Sequence, residues 1–131
     1  MTLPDPHTCV LVIDDDEHIS DLLRLLLERQ GYDVKVCRDG REASSVIDSA
    51  EMIPALILLD VMLPDVSGLE LVHVIRARPD WETVPIVMLT AKSSESDIVR
   101  ALDKGANDYI IKPFQPNELM ARLRRFLDIT L

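Results

Sequence analysis

Apolar residues follow two alternating rhythms along this chain. Short aliphatic or β-branched runs, Cys9–Ile13, Asp33–Cys37, Ala55–Asp60, Pro85–Thr90 and Asp108–Lys112, have the length and content of strands. Between them, apolar residues recur at helical spacing. Ile19, Leu22, Leu23, Leu26 and Leu27 form one stripe, and Gly31 supplies its stop. A second helix is predicted over Gly40–Ala50, with Ala43, Val46, Ile47 and Ala50 on one face, and a third over Gly68–Arg78, with Leu71, Val72 and Ile75. The fourth begins near "SSESD", where Ser94 and Asp97 fit a capping box, passes through Ile98, Val99 and Leu102, and stops at Gly105. The fifth starts after Pro116, buries Leu119, Leu123, Phe126 and Leu127, and is expected to reach Asp128.

Five strand–helix units in succession predict right-handed crossovers. The fold class is therefore α/β, a five-stranded parallel sheet wound on both faces by helices. The 131 residues suit one domain and are too few for a closed eight-stranded barrel. Residues 1–8 read as a flexible leader with two prolines, and residues 9–131 as the folded domain. No apolar run approaches the ~20 residues that span a bilayer, and the N-terminus lacks the basic segment and apolar core of a secretory signal. A cytoplasmic protein without a membrane partner is the expectation.

Composition narrows the partners. Hydrophobic residues make up 47% and charged residues 28%, as in globular chains, and the net charge of −9 disfavours direct binding to nucleic acid. The basic cluster Arg122, Arg124 and Arg125 is better placed to complement a helix C-terminus or pair with acids. Cys9 and Cys37 lack CxxC spacing and read as buried free thiols, and His7, His18 and His73 lack metal-ligand spacing.

The chemistry lies at the strand ends, where open doubly wound sheets bind their ligands. The first strand ends in Asp14 and Asp15, the third in Asp60, the fourth in Thr90 and the fifth in Lys112. Capping accounts for only part of "DDDE": Asp16 suits the N-cap of the first helix and Glu17 its first turn. Asp14, Asp15 and Asp60 must then either raise a pKa or share a cation. Mg²⁺ suits such a site, because it takes a few carboxylates together with water and phosphate oxygens. Beside the ion, one carboxylate can attack a phosphoryl group, and Asp60 is the candidate nucleophile. Lys112 would meet the phosphoryl charge as a point cation, and Thr90 would offer a hydroxyl to one oxygen.

The segments "VLVIDDDE", "LILLDVMLPDVSGLE", "PIVMLTAK" and "GANDYIIKPF", in this order, resemble the receiver domain of two-component response regulators over Cys9 to Leu127. The resemblance implies a flavodoxin-like (βα)5 fold with strand order 2-1-3-4-5. It implies that Asp60 accepts a phosphoryl group from a histidine kinase or phosphotransfer protein. Asp14 and Asp15 match the acidic pair that holds Mg²⁺, and Met62 the residue that gives it a backbone carbonyl. Thr90 and Lys112 match the switch hydroxyl and the phosphate-contacting lysine, which makes the Lys112–Pro113 bond cis. Pro64 and Gly68 fall at the family's spacings after the acceptor.

Tyr109 is similar to the aromatic switch residue, whose ring turns inward once phosphate draws Thr90 towards it. Met62 and Lys92 match positions that modulate the access of water to the acyl phosphate. The fourth helix, fifth strand and fifth helix are similar to the dimer face of the winged-helix branch. Asp103, Asp108, Glu118, Arg122 and Arg124 fall where that branch places intermolecular ion pairs, around Val99 and Leu102. Two positions depart: Ile98 stands where a basic partner for Glu118 is expected, and Asn107 where an acid is usual.

Other functions fit less well. A haloacid-dehalogenase-type phosphatase needs a DxDx(T/V) pattern after the first strand, which "DDDEH" does not supply. A flavodoxin needs a Ser/Thr/Gly phosphate loop where four acids stand here. An unphosphorylated scaffold would not need all five chemical positions filled. The expected protein is a phosphoacceptor switch rather than an enzyme, limited to self-phosphorylation from a donor and slow autodephosphorylation.

Overall fold

The computed structural model describes residues 8–91 and 95–130. Its elements are β1 (Cys9–Ile13), α1 (Glu17–Glu28), β2 (Asp33–Cys37), α2 (Gly40–Ser49), β3 (Leu56–Asp60), α3 (Gly68–Ala77), β4 (Ile86–Ala91), α4 (Glu95–Lys104), β5 (Asp108–Lys112) and α5 (Pro116–Leu123). All strands join one parallel sheet in the order β2-β1-β3-β4-β5.

Strand periodicity divides the core into two layers. Leu11, Ile13, Ile57, Leu59, Ile86 and Met88 face α2, α3 and α4, where Ala43, Ile47, Leu71, Val72, Ile75 and Ala101 meet them. Val10, Val12, Leu56, Leu58, Val87, Leu89 and Ile110 face α1 and α5, against Leu23, Leu27, Leu119, Met120 and Leu123. Because β3 is covered on both faces, all five of its residues are buried. The run "LILLD" carries no alternation for that reason.

Local chemistry sets the helix ends. Asp16 caps α1, accepting from His18 N and Ile19 N, and Gly31 lies just beyond that helix at φ 91°. Gly105 follows α4 at φ 120°. Ser94, expected in a capping box, lies outside the described residues. The exposure of α4 differs from a simple stripe: Ile98 and Ala101 are buried, whereas Val99 and Leu102 are exposed.

The last helix is shorter than its apolar spacing predicts. It ends at Leu123, and the following turn uses tightened bonds, Arg125 N to Arg122 O and Phe126 N to Leu123 O. Asp128 N donates to the Tyr32 hydroxyl at 2.7 Å instead of to a helix carbonyl. Residues 128–130 form a strap against the turn between α1 and β2. Tyr32 Oη donates to Asp128 O, while Gln30 donates to Thr130 O and accepts from Thr130 N. Ile129, the middle residue of this strap, is buried.

Cys9 pairs with Asp33 and Cys37 with Ile13, four positions apart on the β1–β2 ladder. That separation of about 13 Å forbids a disulfide. Both thiols are free, and burial pushes Cys37 up to about 12.

Candidate functional site

Strand register brings the acids together. Ile13 pairs with Leu59, so the residues that follow, Asp14 and Asp60, emerge side by side at the C-terminal edge of the sheet. Carboxylate oxygens of Asp14, Asp15 and Asp60 all lie within 4.8 Å of one another. Asp14 is fully buried, Asp60 is 6% exposed and Asp15 is open to solvent. Asp14 also shapes the turn, with Oδ1 accepting from Asp16 N at 2.9 Å.

Lys112 reaches this cluster from the end of β5, crossing in front of β4. Its ammonium lies 2.8 Å from Asp14 Oδ2 and 3.1 Å from Asp60 Oδ2. The Lys112–Pro113 bond is cis. Burial raises the pKa of the Asp60 carboxyl and the Asp14 charge adds to this, while the Met62 amide and Lys112 oppose it. For Lys112, burial works to lower the pKa, but the hydrogen bond and charge of Asp14 and the charge of Asp60 together hold it above its ordinary value.

The donor set fits a hard divalent cation. Three carboxylates against one ammonium leave a formal charge of −2 in a largely buried pocket. All the ligand atoms offered are oxygens, the preference of Mg²⁺. One carboxylate at the solvent edge leaves room for water. Capping accounts for Asp16 alone among the three aspartates.

The other predicted residues lie on β4, on β5 and in the loop after β3. Thr90 is buried at the end of β4, and its Oγ1 donates to Ala91 O at 3.3 Å. Tyr109 is half-buried and packs against the core layer under α2 and α3. The Met62 amide donates to Asp60 Oδ1 at 2.9 Å, and the residue is 68% exposed. Lys92 lies outside the described residues.

On the face formed by α4, β5 and α5, Val99, Leu102 and Ile111 are exposed. Asp108 is buried and already held within the chain by Arg125 at 3.1 Å, with Arg122 4.0 Å away. Glu118 pairs with Arg122 along α5. Asp103 and Arg124 are exposed and make no ion pair among the described residues. Both departures have structural roles. Ile98 anchors α4 in the core, and Asn107 Oδ1 accepts from Ile86 N and Arg76 Nη2.

Sequence reasoning missed two groups. Asp65 accepts from the first two amides of α2. Arg76 spreads its guanidinium over Gly105 O, Trp81 O, Val84 O and Asn107 Oδ1. Each joins elements distant in the chain and has no local spacing signal. Arg125, placed by the sequence to pair with acids, holds Asp108.

Comparison with known proteins gives a consistent result. The family model described as "Response regulator receiver domain" matches residues 10–124. The phosphate regulon transcriptional regulatory protein PhoB of Rhizobium meliloti is 48% identical over 118 residues, 90% of this chain and 51% of its own length. The DNA-binding response regulator MtrA of Mycobacterium leprae is 45% identical over 115 residues, 88% of this chain and 49% of its own. The chain thus spans about half the length of the curated relatives it matches. Among solved structures, the chemotaxis response regulator CheY4 of Vibrio cholerae superposes with a TM-score of 0.83 at 32% identity, covering 92% of this chain and 99% of that one. The receiver domain of a Pseudomonas aeruginosa sensor histidine kinase, solved with a magnesium ion coordinated in its active-site cleft, gives 0.80 at 30% identity, covering 94% and 99%.

Proposed function

The chain belongs to the response regulator receiver domain family, and we propose that Asp60 is its phosphoacceptor, taking a phosphoryl group from a phosphohistidine of a histidine kinase or phosphotransfer protein. The observation that carries this reading is the convergence of Asp14, Asp15 and Asp60 within 4.8 Å, with Lys112 bonded to the two buried members. An Asp60 carboxylate oxygen attacks phosphorus as the P–N bond to the donor imidazole breaks, and the bonding pair leaves with the imidazole nitrogen. Asp14, Asp15, Asp60 and the Met62 main-chain carbonyl would hold Mg²⁺, which supplies charge neutralisation on the phosphoryl oxygens.

The chain's own groups do the rest. Met62 N donates to Asp60 Oδ1 and so fixes the carboxylate plane. Once Asp60 is phosphorylated its carboxyl group is no longer an anion and the charge lies on the phosphoryl oxygens, so the Lys112 ammonium can turn from Asp60 Oδ2 to one of them. Thr90 gives up its bond to Ala91 O and donates to another phosphoryl oxygen. Tyr109 then turns inward against the space Thr90 leaves. A preference of ~1.4 kcal/mol shifts a two-state ratio only tenfold, so the switch draws on all these contacts together. It reads out on the face of α4, β5 and α5. There Val99, Leu102, Asp103, Glu118, Arg122 and Arg124 meet an output domain, a partner or a second copy, while Asp108 is held within the chain by Arg125. Met62 and Lys92 govern water access and the lifetime of the phosphorylated state. The protein is a cytoplasmic switch that turns over no external substrate.

The test is incubation with acetyl phosphate and Mg²⁺, followed by mass spectrometry. Wild type is expected to gain one hydroxylamine-labile phosphoryl group and Asp60→Asn none. Phosphate on a different residue, or none on wild type together with no beryllofluoride binding, would overturn the reading.

A further inference from the structure

The loop that follows Asp60 is fastened at three points. At its start, Met62 N donates to Asp60 Oδ1. At its end, Gly68 N donates to Val61 O at 3.0 Å, and Gly68 lies so close that a Cβ there would overlap the Asp60 carbonyl. The third attachment is at the apex. Asp65 Oδ1 accepts from Gly40 N at 2.7 Å and Asp65 Oδ2 from Arg41 N at 2.9 Å.

Those two amides open α2, an element the acceptor loop is not joined to in sequence. The helix has its own cap, since Asp39 Oδ1 accepts from Glu42 N at 2.7 Å. One local carboxylate serves most helices; here a second arrives from another loop and satisfies the two amides the first leaves. The backbones are shaped for this contact, because a Cβ on Gly40 would press into the Val66 side chain.

We propose that Asp65 is a positioning residue for phosphoryl transfer: by bonding Gly40 N and Arg41 N it fastens the acceptor loop to α2, and so holds Asp60 and the Met62 carbonyl in the arrangement that binds the cation. This inference rests on the reading of Asp60 as a Mg²⁺-dependent phosphoacceptor. A loop left loose would have to be ordered at the moment of binding, and that ordering cost appears as lost affinity. Asp65 itself touches neither ion nor phosphate.

Asp65→Ala and Asp39→Ala each remove one cap from α2, but only the first releases the loop. Amide exchange at Met62 and Gly68 without metal, Mg²⁺ affinity by calorimetry and the rate of acetyl-phosphate labelling separate them. Asp65→Ala is expected to speed exchange at both amides and weaken Mg²⁺ about tenfold, the low end for supporting partners of a metal site. Asp39→Ala is expected to lower the melting temperature and leave Mg²⁺ affinity unchanged. Equal effects of the two variants, or none from Asp65→Ala, would overturn the inference while leaving Asp60 as acceptor. Wild type that binds no Mg²⁺ would remove both. Should Asp65→Ala not fold, Asp65→Asn, which keeps one acceptor, is expected to show an intermediate loss, and wild-type affinity in it would count against the proposal.

Discussion

Lys112 Nζ lies 2.8 Å from Asp14 Oδ2 and so joins residues 98 positions apart across β1, β3, β4 and β5. The same ammonium reaches Asp60 at 3.1 Å. It is the internal counter-charge of two carboxylates that the sheet forces together.

Lys112→Met leaves those buried acids facing each other without a cation. A loss of about 3 kcal/mol is expected in urea unfolding, the range for breaking a buried pair. Added Mg²⁺ is expected to recover part of it, and Asp60→Asn in the same background to recover part independently, as a double-mutant cycle would show.

The two ends of this pair predict opposite limbs of a pH profile. Asp60 has its pKa raised in the folded state, by burial first and by Asp14 second. The native protein then holds that proton more firmly than the unfolded chain, so the Asp60 contribution to stability falls as pH rises above the ordinary carboxylate range. Asp60→Asn is expected to exceed wild type in stability at neutral pH, with the gap closing in acid. Lys112 is also raised, against the pull of burial, by Asp14 and Asp60. Its stabilisation is complete below its ordinary value of 10.5 and is lost as pH climbs through the folded value. Urea titrations across both ranges measure the two slopes.

Capping and metal binding can be separated within "DDDE". Asp16 accepts from His18 N and Ile19 N, so Asp16→Ala is expected to cost about 1 kcal/mol and leave Mg²⁺ affinity intact. Asp14→Asn is expected to abolish Mg²⁺ binding. Calorimetric titration beside thermal melts distinguishes the two.

Arg76 ties α3 to the turns that lead into β4 and β5. Arg76→Lys cannot reproduce a fork that meets three carbonyls and one amide oxygen. A loss of about 2 kcal/mol is expected from the buried acceptors left unpaired, with phosphoryl labelling unchanged.

Met62 is apolar and 68% exposed two residues after Asp60, and on the proposed reading it limits the approach of water to an acyl phosphate. Met62→Asn is expected to shorten the lifetime of the phosphorylated state. The decay of radiolabelled protein reads this directly, and an equal or longer lifetime in the variant would refute it.

Period and strand-end chemistry made most of this legible in the sequence. The bounds of β1, β2 and β5 match the apolar runs, and Asp14, Asp15, Asp60 and Lys112 converge because consecutive parallel strands end at one edge. Phe126 and Leu127 sit at helical spacing from Leu119 and Leu123, yet the regular helix ends at Leu123, where Arg125 N and Phe126 N turn to i−3 carbonyls, and the Tyr32 hydroxyl takes Asp128 N beyond it. Asp65, Arg76 and Asn107 were hidden for a related reason. Their partners are mainly backbone atoms on other elements, and backbone atoms carry no residue code. Asn107, noted in the sequence only as standing where an acid is usual, is bonded to Ile86 and Arg76.

Gln30 and Tyr32 grip the strap only through its main chain, at Asp128 O and N and at Thr130 O and N. Such a latch is blind to the side chains it holds. Any residue but proline at positions 128 and 130 keeps those four bonds, while a change at buried Ile129 or at either gripping residue does not leave the latch intact.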